Sequence, residues 1–142
     1  NDQDGGSGVR WYAGTDEWTM ARGDAPGAGE LNTAIIIAVQ RRGDGNTYAA
    51  RLCNEQQVTQ NYITYGDWYL PSEEELYLMY ENRTAINNTA SSYAGSAAFV
   101  STLYWSSKEN SNTLARYVNF SNGNVGSATK GQLYRVRAVR KF

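Results

Sequence analysis

Apolar residues recur with helical spacing in the first half of the chain and with two-residue alternation near its end. Leu31, Ile35, Ala38 and Val39 stand at i, i+4, i+7 and i+8, one face of a helix over Leu31 to Gln40. Thr47 to Val58 has helical character too, with Ala50, Cys53 and Gln57 on one side. Ser72, followed three residues later by Glu75, forms a capping box, in which each side chain takes an amide donor that the helix start leaves open. Glu73, Glu74 and Glu75 set negative charge against the positive end of the helix dipole. Leu76, Met79, Tyr80 and Arg83 then give one face, so a helix is predicted from Ser72 to about Asn82.

Beyond Ala85 the texture changes. Residues 86–98, dominated by Asn, Ser, Ala and Gly, predict a long irregular loop. Thr102 to Ser107, Ala115 to Phe120 and Val125 to Ala128 read as strands, and Ser121-Asn122-Gly123-Asn124 is a turn sequence between the last two. Over Leu133 to Phe142, Tyr134, Val136 and Ala138 alternate with Arg135 and Arg137, which predicts a strand with an apolar and a basic face. Val9 to Tyr12 is a short strand-like island in a Gly- and Asp-rich stretch, and Arg22 to Gly29 reads as a loop. Helices first and strands last predict an α+β fold, two to three helices on a mostly antiparallel, twisted sheet.

Composition narrows the function. The 142 residues fit one domain, 1–142, and the polar start at Asn1 leads us to expect a piece of a longer surface protein. There is no His, which removes the commonest general base, metal ligand and pH switch. The single Cys53 forms no internal disulfide and no thiolate zinc site, and its apolar neighbours predict a buried thiol. The Glu73 to Glu75 carboxylates are accounted for by capping, and no phosphate loop or nucleophile motif occurs. No enzyme activity, cofactor or metal is therefore expected. No run of apolar residues is long enough for membrane insertion.

Charge is unevenly spread. The net charge is −1, yet residues 1–107 hold six basic and thirteen acidic groups and residues 108–142 hold seven basic groups and only Glu109. The basic excess is either a surface that attracts a polyanion or one half of a set of pairs that close when the two parts fold together. The sequence leaves both readings open.

Three segments carry a family resemblance. Gly66-Asp67-Trp68-Tyr69-Leu70-Pro71-Ser72 with Glu73 to Met79, then Tyr104-Trp105-Ser106-Ser107, then Tyr134-Arg135-Val136-Arg137-Ala138-Val139-Arg140 occur in the order of the signature segments of the Fibrobacter succinogenes major paralogous domain family. Gly6-Ser7-Gly8-Val9-Arg10-Trp11 and Leu31-Asn32-Thr33 match weaker family segments, so the likeness covers nearly the whole chain. The family resembles the C-type lectin fold and includes the C-terminal domain of a collagen-like adhesin of Legionella. The resemblance implies an extracellular or bacterial-surface adhesin domain that binds sulfated glycosaminoglycans or similar polyanionic glycans as a homotrimer. The alternative it implies is a structural trimerisation domain capping a collagen-like stalk, which is itself three-stranded. Two departures follow. The apolar strand that usually precedes the Gly-Ser-Gly-Val stretch is absent or lies upstream of Asn1, so the C-terminal strand is expected to lack that partner and show an edge. The Glu-Pro-Asn and Trp-Asn-Asp motifs of calcium-dependent lectins do not occur.

The candidate glycan-binding set is Lys108, Arg116, Lys130, Arg135, Arg137, Arg140 and Lys141. Sulfate favours planar, bidentate donors, which Arg supplies, and a trimer would multiply weak single contacts. The competing expectation is that these side chains pair with Glu73 to Glu75 or lay their stems over the core. Nucleic acid fits a basic surface but not an extracellular domain. Arg22-Gly23-Asp24 and Arg42-Gly43-Asp44 are integrin-type tripeptides, but Gly and Asp are common turn formers, and an integrin partner is not expected.

Overall fold

The computed structural model describes residues 2–41 and 43–141. These residues form four helices, α1 (Ala28–Gln40), α2 (Ala49–Asn54), α3 (Glu73–Glu81) and α4 (Arg83–Ser91). A hairpin of β1 (Val58–Gln60) and β2 (Ile63–Tyr65) lies between α2 and α3. The last strands, β3 (Leu103–Glu109), β4 (Leu114–Asn119) and β5 (Val125–Thr129), form an antiparallel sheet with β4 in the middle. The fold is α+β, and this arrangement is consistent with a C-type-lectin-like domain. No helix among the described residues is long and apolar enough to cross a membrane.

Two apolar clusters hold the layers together. The larger joins α1 and α2 to the sheet through Trp11, Ile36, Tyr48, Cys53, Leu70, Trp105 and Val136. Its two tryptophans also bond the backbone: the Trp11 indole donates to the Ser106 carbonyl and that of Trp105 to the Val9 carbonyl, each at 2.8 Å. These buried polar tips are satisfied, so each ring supplies apolar area with no orphaned donor. The smaller cluster seats α3 on the sheet through Leu76, Phe99, Tyr104, Val118 and Phe120. Ser72 caps α3 with the expected reciprocal bonds to Glu75.

Several expectations need correction. In α1 the buried face is Gly29, Asn32, Thr33, Ile36 and Gln40, and Leu31 is exposed. The polar members face inward because they bond incoming loops: Asn32 grips both backbone groups of Gly23, Thr33 accepts from Leu70 N–H, and Gln40 accepts from Ala13 N–H. Much of the loop expected at 86–98 is α4, which follows α3 directly and lays Ile86 on the smaller cluster. Among the described residues there are thus four helices rather than two to three. Helix character over Thr47 to Val58 is limited to α2, and Val58 begins a strand.

The final segment is no continuous strand. Tyr134, Arg135 and Val139 make single bridges to Val9, Tyr104 and Tyr69. Nor does it leave the open edge that was expected. Asp4 Oδ1 accepts from Val136 N–H at 3.0 Å, the Gln3 amide oxygen accepts from Ala138 N–H, and Val136 O accepts from Gln3 N–H at 2.9 Å. Side chains and backbone of the N-terminal stretch thus bond this segment where a paired strand was expected.

Candidate functional site

Each of the seven candidate cations faces a carboxylate. Lys108, on β3, reaches Asp24 at 2.6 Å and Glu73 at 3.3 Å. Arg116, on β4, shares Glu73 through Nε and donates from Nη1 to Ser127. Arg135 lies 3.6 Å from both Asp2 and Asp4, and Arg137 reaches Asp2 at 2.7 Å. Arg140 pairs with Asp67 at 2.9 Å, and its guanidinium covers the Tyr65 ring. Lys141 pairs with Glu30 at 2.8 Å.

Lys130 is different in kind. It and Glu109 are both 0% exposed and pair at 2.7 Å. The ammonium also donates to Glu17 O at 2.9 Å and sits over the Trp11 ring. Glu109 accepts from the backbone N–H groups of Thr19 and Met20. A charge so enclosed is a framework element, and Lys130 is corrected from the candidate surface set. Arg137 is close to this state, 8% exposed, with its guanidinium on Asp2 and on the carbonyls of Ala97 and Ala98. The alternation of Arg135 and Arg137 does bring them together, since they share Asp2. Lys108 and Arg116 share Glu73. Arg140 and Lys141 have partners of their own.

The pairing has electrostatic consequences. Hydrogen bonding to Arg140 holds Asp67 below its ordinary range. Burial opposes the charge on Lys108, but its bonds to Asp24 and the nearby Glu73 outweigh that and raise its pKa. The hydrogen bond and charge of Glu30 raise Lys141. Elsewhere, the Arg10 guanidinium holds Asp44 well below the carboxylate range, and burial pushes the Cys53 thiol up, so the neutral thiol dominates at neutral pH.

Sequence reasoning identified Glu73 as a partner but missed Asp2, Asp4, Asp24, Glu30, Asp67 and Glu109. The signal was there in the opposite excesses of the two parts of the chain. Of the two integrin-type tripeptides, Asp24 is engaged by Lys108, and Gly23 is held on both backbone groups by Asn32. The second includes Arg42, which lies outside the described residues; its Asp44 pairs with Arg10. Among the described residues no group of three or more His, Cys, Asp or Glu is placed to hold a metal ion.

A family described as the Lcl C-terminal domain matches residues 3–140. No curated protein and no solved structure matches the chain.

Proposed function

We propose that this chain, which belongs to the Lcl C-terminal domain family, is a non-catalytic adhesin module displayed outside the cell that engages sulfated glycosaminoglycans by exchange of ion-pair partners. The observation that carries the reading is the partial exposure of paired cations: Arg116 and Arg135 are each 26% exposed and Lys141 is 55% exposed, beside carboxylates they already hold. A sulfate approaching such a group replaces one anion with another, so each contact contributes little and affinity depends on several contacts or several copies. Surface pairs yield to salt, so binding falls steeply as ionic strength rises. The lack of His and the enclosure of Cys53 support a binding rather than a catalytic role.

A heparin column run across a salt gradient tests this. Wild-type protein should be retained at low salt and elute early. Asp67→Asn and Glu30→Gln, which each take one carboxylate away from Arg140 and from Lys141, should move elution to higher salt, and Arg135→Ala should move it lower. Flow-through of both of these charge-neutralised variants at low salt would show that the cations serve the fold alone.

The exposed side chains of Leu31, Tyr62, Ile63 and Leu133 favour a second reading, a structural trimerisation domain on a collagen-like stalk. Light scattering distinguishes it: a tight trimer without heparin affinity supports this reading over the first.

A further inference from the structure

An uncharged stretch of the chain borders a surface cleft. Residues 56–66 carry no charged side chain, and their hairpin is exposed on both faces. A cleft of about 530 Å³ opens between this hairpin, Trp68 and the turn that follows α4. Gln56, Gln60, Trp68, Tyr93 and Ser96 line it, over a floor that includes Arg137 and Ala138.

Three features limit what fits there. Among the described residues no acidic side chain lines the cleft, and the lining cation Arg137 is 8% exposed and held by Asp2 and two carbonyls, so the lining presents no free charge to an ion. The walls carry amides and hydroxyls, and the Gln60 side chain has no hydrogen-bond partner among the described residues. A wholly apolar ligand would strip water from those groups and return no hydrogen bonds. Finally, Tyr93 is 67% exposed, and Trp68 is half-buried with its ring fixed by a 3.1 Å bond from the indole to Tyr65 O. Trp68 thus offers an aromatic face with a set orientation and Tyr93 an exposed one, beside the unpaired Gln60 amide. Sugars match both requirements, because their C–H faces stack on aromatic rings while their hydroxyls exchange hydrogen bonds with amides. The size is ordinary for a small-ligand site, which usually spans about 300–1,000 Å³.

We propose that the cleft between the β1–β2 hairpin and the Tyr93 turn binds an uncharged oligosaccharide. This differs in physics from the polyanion reading, sharing with its candidate set only the buried Arg137, since it uses no exposed cation and should tolerate salt.

The test is an amide-resolved NMR titration of the whole chain in roughly 1 M NaCl, where charges are screened beyond about 3 Å. Maltotriose, cellotriose and tri-N-acetylchitotriose are added in turn to about 10 mM, enough to detect millimolar binding. At least one should shift the Trp68 indole signal together with backbone amides of 56–60 and 93–96. Trp68→Ala and Gln60→Ala should each weaken that binding about tenfold, a loss of about 1.4 kcal/mol. Gln60 is exposed, so its variant keeps the test valid if the Trp68 variant does not fold. No shifts with any of the three sugars, shifts confined to another surface, or unchanged affinity in the Gln60 variant would overturn the proposal. Heparin flow-through leaves this outcome unaffected, so the two readings fail separately.

Discussion

The Lys130–Glu109 pair is the residue-level feature with the largest consequence. Removing charges from water is costly, and the interior repays that cost only where every donor and acceptor is matched. Here they are: the ammonium bonds Glu109 and Glu17 O, and the carboxylate takes the Thr19 and Met20 amides. Lys130→Met leaves a buried carboxylate without its cation and should cost about 3–5 kcal/mol, the usual loss when one member of a buried pair is removed. An apolar replacement of both members often restores stability elsewhere. It should not do so here, because Lys130→Met with Glu109→Leu still leaves two backbone N–H groups without an acceptor. Urea denaturation checks both variants; full recovery in the double variant would show that the amides find other partners.

At the level of elements, the contact between α1 and the start of α3 sets the geometry. Gly29 lies where α1 meets the Leu70–Ser72 segment, and a Cβ there would stand 2.7 Å from Leu70 O and from Ser72 N, and 2.4 Å from a Glu75 oxygen. Ala gains up to about 1 kcal/mol of helix propensity over Gly, but overpacking against fixed backbone costs about 1–3 kcal/mol. The overlap also falls on the Ser72–Glu75 capping box. Gly29→Ala should therefore lower the melting temperature, and a rise would mean that the helix can shift aside. The same residues explain what the sequence revealed and what it hid. The α3 start was legible because capping is local chemistry between Ser72 and Glu75. The face of α1 was not, because Asn32, Thr33 and Gln40 are buried as partners for distant loops, and hydrophobic periodicity gives no sign of that. Helix α4 was hidden for the opposite reason: it buries no residue fully, so its Asn, Ser and Thr read as a loop. Hairpin β1–β2 turns at Asn61 and Tyr62, both at positive φ, without the glycine that usually marks such a turn. The candidate cleft rests on that hairpin and on the end of α4, so it was hidden along with them.

Across the whole molecule, the uneven charge along the chain records how the chain is folded. The last 35 residues hold seven cations, and with one exception their partner acids come from residues 2–73, so the pairs fasten the C-terminal half to the N-terminal half. This predicts a stability profile with a flat centre. Asp67 and Asp44 have lowered folded values, so their contribution is present above the unfolded Asp value of about 3.9 and lost as pH falls through the folded value. Lys108 and Lys141 are raised, so theirs is present below the unfolded Lys value of about 10.4 and lost as pH climbs through the folded one. Tyr104 acts in the same direction as the lysines: burial pushes its folded value up to about 12, and stability falls as the phenol is forced to ionise. With no His in the chain, no side chain has its ordinary pKa near 6.5. Melting temperature should thus stay level from about pH 5 to 9, fall on both sides, and fall less steeply in high salt where the surface pairs are already weakened. A step between pH 5 and 8, or an unchanged melting temperature at pH 2, would show that these groups do not set the pH dependence of stability.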